Sequence, residues 1–181
     1  MQNLVIRRPR MDEVEELSSF FELVIRDTFR RNGIADLIDI LEYEIKDKRR
    51  CLNEDFESDG NDRYFLVATI DNMIVGTIEH GQANELIKEC THGELSHLQE
   101  IGTVFVHPKF QQKGIGNLLL TKIFEVLQDK KIEEFCLDSG YKSAQMIWRK
   151  RFGEPEYLFK DYWGDGADHM IWRMNVNDVL K

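Results

Sequence analysis

Apolar and polar residues recur along the chain with two periods, one near 3.6 and one of 2, and the switches between them mark out the elements. Leu4, Val5 and Ile6 predict a short apolar strand that stops at Pro9. Asp12 and Glu15 then have the spacing of an acidic capping box that opens a helix. Val14, Leu17, Phe21, Val24 and Thr28 follow helical spacing on one face, and Asn32 and Gly33 mark the helix end. A second helix carries Ile34, Ile38, Leu41 and Ile45 as its apolar stripe, with Lys46, Lys48, Arg49 and Arg50 where cations suit the negative end of the dipole. Asn53 to Asp62 is polar and reads as a loop.

From Arg63 to Ile78 the period changes to that of strands. Tyr64–Ile70 and Met73–Ile78 are joined by Asp71 and Asn72, residues that tolerate the left-handed angles of a tight hairpin. Gln82 to Leu95 reads as an insertion, with Leu86, Ile87 and Cys90 on one face of a short helix that ends at His92 and Gly93. His97 to His107 predicts a long strand rich in β-branched residues and ended by Pro108. Gly114 to Gln128 has a strong helical pattern, with Gly116, Leu120, Ile123, Phe124 and Leu127 on one side. Phe135 to Leu137 predicts a buried strand, Ser143 to Arg151 a short helix, and Tyr157 to Tyr162 a strand. Asp165 and Gly166 mark a turn into a last strand over Met170 to Met174.

Composition narrows the function classes. A length of 181 residues with 42% hydrophobic positions fits one domain, 1–181, with a continuous core. The formal net charge of −9 repels phosphate backbones, and no basic stripe interleaved with aromatics occurs, so nucleic acid is disfavoured as the main partner. The cysteines Cys51, Cys90 and Cys136 are odd in number and irregular in spacing, which reads as free thiols in a reducing compartment. No apolar run of signal-peptide length opens the chain, and none approaches the roughly 20 residues that span a bilayer. A cytoplasmic location without a membrane partner is the expectation. Cys90, His92 and His97 are too few, at a spacing that fits no common structural zinc site, so no metal is expected.

The strand ending at Val106, the turn Gln111, Gln112, Lys113, Gly114, Ile115, Gly116, and the helix that continues through Asn117 form a unit with a physical purpose. Amides at a helix start are unpaired within the helix and gather at the positive end of its dipole, so they can bind a diphosphate. Glycine there lets phosphate come close. A Walker loop would need Lys and Ser/Thr after its last glycine, but Asn117 and Leu118 follow; a dinucleotide fingerprint would need three glycines. Val106, Pro108, Gln111, Gly114 and Gly116 with Leu119 and Leu120 resemble instead the Gln/Arg-x-x-Gly-x-Gly/Ala motif of the GNAT (GCN5-related N-acetyltransferase) superfamily. The element order from about Leu4 to Met174 is similar to that family's as well.

The resemblance implies an α/β GNAT fold: a mixed, mostly antiparallel sheet of about seven strands flanked by helices. It further implies acetyl-CoA as cosubstrate, with the pantetheine arm paired along the strand at Val104 and Val106 and a backbone N–H there polarising the thioester carbonyl. A primary amine would attack directly in a ternary complex, without a covalent enzyme intermediate. For the base, Glu100 lies on the same strand as Val106, and an unbroken period of two would put both on one face; Glu79 and His80 are alternatives. The family often places a Tyr on the helix after its fifth strand as the acid. Here Trp148 stands at that position and Ser143 where an Asn would be, which leaves Tyr141 as the nearest phenol. Ser143 and Trp148 are then candidate cofactor contacts, although Trp148 shares helical spacing with Ala144 and Ile147 and reads equally as core. His169 and Trp172 lie on the last strand, where the family often shapes the acceptor pocket. Tyr162, Trp163 and Trp172 would pack as a hairpin cluster or extend to a partner in a homodimer. The acceptor is a small-molecule amine or a protein amine. The rival reading is a catalytically silent acyl-CoA-binding sensor of the same fold.

Overall fold

The capping box falls on Arg10 and Glu13, rather than on Asp12 and Glu15, and closes a 3-10 turn just ahead of the first α-helix. The structure is a computed structural model that describes residues 3–180. After strand β1 (Leu4–Arg7) and a 3-10 turn over Met11–Glu13, helix α1 runs Val14–Arg31. Glu13 is only 5% exposed. Its carboxylate accepts the Arg10 N–H (2.9 Å) and a two-pronged pair of bonds from the Arg7 guanidinium. A carboxylate that caps a helix start and is gripped by an arginine prefers burial to the exposed positions of Asp12 and Glu15.

The Arg7 guanidinium, together with the Arg10 amide, holds the Glu13 carboxyl down to about 2 from the ordinary 4.5. A depressed carboxyl stabilises the fold above its unfolded value, and that contribution is lost as pH falls from about 4.5 through about 2. Glu13→Gln is therefore expected to cost about 2 kcal/mol at neutral pH, with solvent screening at Arg7 taken into account. Urea titrations at several pH values should show the stability difference between wild type and variant shrinking across that window, while the loss shared by both reports other carboxylates held low, such as Asp47 and Glu134.

The described chain divides into two units. The first comprises Met1–Gly81 and Gly102–Ile123. In it β2 (Arg63–Ile70) pairs with β1 and with β3 (Met73–Gln82), both antiparallel. Asp71 and Asn72 take φ of 49° and 67°, as the tight hairpin requires. The later part of β4 (Gln99–Val106) follows β3, so the order is β1-β2-β3-β4. Phe21 of α1 packs on Phe65 and Phe105, with ring centroids 6.1 Å from each. Helix α2 spans Ile38–Glu57, beyond the predicted loop boundary at Asn53. Asp55 explains the extension: fully buried, it accepts the Phe65 N–H at 2.6 Å and Arg8 Nη2 at 2.7 Å, so a tertiary contact holds a locally polar stretch in the helix. Leu41, Ile45 and Leu52 form the buried stripe of α2, whereas Ile38 is half exposed.

The second unit comprises Gln82–Ile101 and Phe124–Lys181. The start of β4 pairs in parallel with β5 (Glu134–Ser139), β5 with β7 (His169–Asn175) and β7 with β6 (Tyr157–Phe159), the last two antiparallel. The order β4-β5-β7-β6 completes a seven-stranded, mostly antiparallel sheet flanked by helices, as the resemblance implied. The short helix α3 (Glu85–Cys90) ends at His92 and Gly93, both with positive φ. Ile87 and Leu95 pack with Leu98, Cys136 and Ile171. Helix α5 (Lys142–Phe152) buries Gln145 and Trp148 while Ile147 is exposed, so the expected Trp148–Ile147 face is not the inner one. Strand β6 stops at Phe159, short of the expected Tyr162, because the chain turns at Asp161 with φ of 55°. A last short helix, α6 (Val176–Val179), follows β7 unforeseen. Among the described residues no helix is long and apolar enough to cross a membrane.

Candidate active site

The candidate diphosphate turn lies in the first unit, between β4 and helix α4 (Ile115–Asp129). Gln111 is braced at both ends of its amide: Nε2 donates to the Val106 carbonyl at 3.2 Å, and Oε1 accepts from Arg31 Nη1 at 2.6 Å. Arg31 is itself held by Asp27 at 2.8 Å. The first residue of the motif thus ties the end of β4 to the end of α1. Gln112 and Gly114 take φ of 60° and 83°, which reverses the chain into the helix. The Leu118 N–H bonds the Gly114 carbonyl at 3.1 Å, so the amides of Ile115 and Gly116 precede the first helical bond and lie at the positive end of the dipole. A Cβ on Gly114 would meet nothing within 4 Å, and one on Gly116 only Val106 Cγ2 at 3.7 Å. The turn therefore has room where an anion would approach, which is the property a diphosphate needs. The Lys113 ammonium lies over the Phe110 ring, 4.9 Å from its centroid.

Gly76 on β3 sets the height of the helix start. A Cβ there would come within 2.9 Å of Leu119 Cδ1 and 3.2 Å of Ile115 Cγ2, so α4 can dock this closely only over a glycine.

The three candidate bases occupy different surroundings. Glu79, 2% exposed, accepts from Arg63 Nη1 at 2.7 Å and from Thr103 Oγ1 at 3.1 Å, and both its oxygens are thereby committed. His80 is 2% exposed and stacks on Tyr64, with ring centroids 5.6 Å apart. Both belong to the first unit. Glu100, in the second unit, is partly exposed, and its oxygens accept the backbone N–H of Asn84 at 2.7 Å and Asn84 Nδ2 at 2.9 Å. The period-two argument that joined Glu100 to Val106 does not hold. Thr103 takes φ of 48° between them and breaks the alternation of β4.

Around α5, Tyr141 is the N-cap residue; its N–H bonds Ser139 Oγ at 3.1 Å and its carbonyl accepts the Gln145 N–H. Ser143 is exposed on the first turn. Trp148 is 9% exposed and stacks on Phe152 with ring centroids 5.7 Å apart, so its indole serves the core. Trp172, 1% exposed, donates its indole N–H to the Gly153 carbonyl at 3.0 Å and does not join Tyr162 and Trp163, which pack on His169. Strand alternation puts Trp172 and His169 on opposite faces of β7.

Sequence reasoning passed over Asn84 and Asp138. Asn84 is the N-cap of α3, with Oδ1 accepting the Ile87 N–H at 2.8 Å, a role its type and place before Glu85 could have suggested. Asp138 carries no comparable local signal. The cysteines are all free. Burial pushes the Cys51 thiol up to about 12 and raises those of Cys90 and Cys136 as well, so none is a thiolate at neutral pH. Among the described residues no group of three or more His, Cys, Asp or Glu could hold a metal ion.

The described architecture is an α/β fold with a mostly antiparallel seven-stranded sheet and an open glycine turn ahead of α4. The sequence model of the acetyltransferase (GNAT) family matches residues 36–153, and the chain belongs to that family. Solved structures agree in fold. The PaiA N-acetyltransferase of Thermoplasma acidophilum, in complex with coenzyme A, superimposes with a TM-score of 0.70 at 22% identity, over 96% of this chain and 99% of that one. The ribosomal-protein-alanine N-acetyltransferase of Brucella melitensis gives 0.67 at 17% identity, over 94% and 99%. The yncA protein of Salmonella typhimurium, with its cofactor acetyl-CoA, gives 0.63 at 13%, over 97% and 95%. No curated protein matches the chain in sequence.

Proposed function

We propose that this chain is an N-acetyltransferase that moves the acetyl group of acetyl-CoA to a primary amine by direct attack in a ternary complex. The observation that carries the reading is the start of α4: open space at Gly114, a braced Gln111 and amides ahead of the first helical bond, in a chain whose family is that of acetyltransferases. Bound there, acetyl-CoA would supply an activated acetyl thioester. The residues Gln111 to Asn117 hold its diphosphate, and the backbone at Val104 and Val106 lines the pantetheine arm. Ser143, exposed on the first turn of α5, is assigned to the cofactor side as well, whereas Trp148 packs in the core.

Glu100 takes the ammonium proton and Tyr141 is the candidate donor to the leaving thiolate. The three neutral, mostly buried thiols favour direct transfer over an acetyl-cysteine intermediate. The acceptor is a small-molecule or protein amine. Glu100→Gln is expected to lower kcat at least tenfold and Tyr141→Phe by a smaller factor. Steady-state rates in the opposite order would exchange the two in importance.

One observation favours a second reading, an acyl-CoA sensor without turnover: the indole of Trp148 stands where the family often has its phenol, and it stacks in the core. Release of free thiol from acetyl-CoA across a panel of amines separates the two. Turnover on any amine supports the enzyme; binding without turnover on all of them supports the sensor.

A further inference from the structure

We propose that β6 is the interface of a homodimer, in which a second copy of this chain pairs antiparallel along the free edge of the strand with Leu158 on the two-fold axis. Such pairing is independent of acetyl transfer. β6 bonds to β7 on one side and ends the strand order, so among the described residues its outer backbone edge meets no other strand. An open edge of this kind is a template for another chain unless charge, proline or a bulge blocks it. Side chains alternate along β6. Tyr157 and Phe159 turn inward onto the cluster that contains Ile87, Leu95 and Ile171, their rings parallel with centroids 6.4 Å apart. Glu156, Leu158 and Lys160 occupy the outward positions and are all exposed, Leu158 at 42%.

The residues around Leu158 complement their own order read in reverse. Antiparallel pairing about Leu158 sets Tyr157 opposite the partner's Phe159 and Glu156 opposite the partner's Lys160, and the two-fold repeats both pairs. Aromatic against aromatic and anion against cation are favoured cross-strand combinations. The ends agree as well. Pro155, which has no N–H for a ladder, and Asp161, where φ of 55° turns the chain, stand equally far from Leu158, so the paired stretch stops at the same place in both copies. Other registers lose these matches. Parallel pairing in register would set Glu156 beside the partner's Glu156 and Lys160 beside the partner's Lys160, which repels. A slip of one residue would set Glu156 opposite the partner's Phe159 and Lys160 opposite the partner's Pro155.

The surroundings leave both charges available. Glu134, Glu156 and Glu94 all act on Arg173, which binds Glu134 through Nε at 3.1 Å and Nη2 at 3.0 Å, so the Glu156 end of β6 is acidic. Lys160 has no carboxylate partner among the described residues. Tyr162, edge-on to Phe159 at 6.2 Å, and Trp163 follow the strand; exposed by 43% and 52%, they add the aromatic surface that so short a ladder lacks. The other edge strand, β1, has no such match, since its Arg7 is held by Glu13.

The test is sedimentation velocity of the full chain over a concentration series, with charge variants at the two exposed positions. Wild-type protein should sediment as a dimer at micromolar concentration. Glu156→Lys and Lys160→Glu, each alone, oppose like charges twice across the two-fold and should weaken dimerisation about tenfold or more, with an unchanged far-ultraviolet circular dichroism spectrum. An equimolar mixture of these two variants should dimerise within about threefold of wild type, because each then meets the opposite charge on the other. The double variant Glu156→Lys with Lys160→Glu should do the same. Within one chain the two positions lie roughly 13 Å apart along the strand, so either recovery comes only from pairing between copies. A wild type that stays monomeric up to about 100 µM overturns the proposal. So does a dimer that both single variants leave intact, and so does a mixture that dimerises no better than its components.

Discussion

Gly114→Glu should abolish measurable affinity for acetyl-CoA, a loss of at least a hundredfold in calorimetric titration, while the folded structure persists. The argument is electrostatic. Gly114 stands immediately before α4, its carbonyl accepts the first helical bond, and the space around its missing Cβ is empty to 4 Å. A carboxylate placed there would meet the positive helix end itself and repel a diphosphate from it. The φ of 83° adds strain of about 1 kcal/mol for any L side chain. Gly114→Gln carries that same strain without the charge, so it is the control and should retain affinity within about tenfold. If Gly114→Glu binds acetyl-CoA as the wild type does, the turn is not where the diphosphate goes. If Gln and Glu lose affinity equally, backbone geometry at this position matters and charge does not.

Arg63→Met should be the most destabilising of the substitutions considered, by about 3–5 kcal/mol in urea denaturation. Arg63 is 11% exposed in its side chain and joins Glu79, 3% exposed, at 2.7 Å, and Glu54 at 2.8 Å. Its guanidinium lies over Gly81, where a Cβ would come within 2.7 Å. Removal of the arginine leaves the Glu79 carboxylate buried, with Thr103 as its one remaining hydrogen-bond donor among the described residues. Lys48 also feels the field of Glu79, which holds the loss toward the lower end of that range. Arg63→Met combined with Glu79→Gln removes both charges and should recover at least half of the loss. A single-variant cost below about 1 kcal/mol would mean that the pair behaves as a surface ion pair.

The candidate site was legible in unequal parts. The turn could be read because each of its signals is local: glycine at Gly114, a strand before it and an amphipathic helix after it. The brace from Arg31 to Gln111 could not, since it joins positions 80 residues apart. Glu100 was named for a reason that failed, the unbroken alternation of β4, because nothing in the residues around Thr103 announces its left-handed angle. Asp138 went unnoticed on a strand that reads as buried and apolar; Asn84 reaches it across 54 positions. Polar positions misled in another way at Asn53 to Glu57. There the sequence predicted a loop, and the contact of Asp55 with Phe65 and Arg8 keeps the helix going.

By itself the sequence determined what depends on neighbours within a few residues: the hairpin at Asp71 and Asn72, the helical stripes of α1 and α4, the turn into α4 and, through its motif, the family. The tertiary structure alone decided how charges are paired: Glu13 with Arg7, Asp55 with Arg8, and Glu79 with Arg63. The division has a physical cause. Backbone angles and amphipathic faces follow from steric and solvation preferences of adjacent residues, whereas a carboxylate's partner is chosen by whichever donor the assembled strands and helices carry to it.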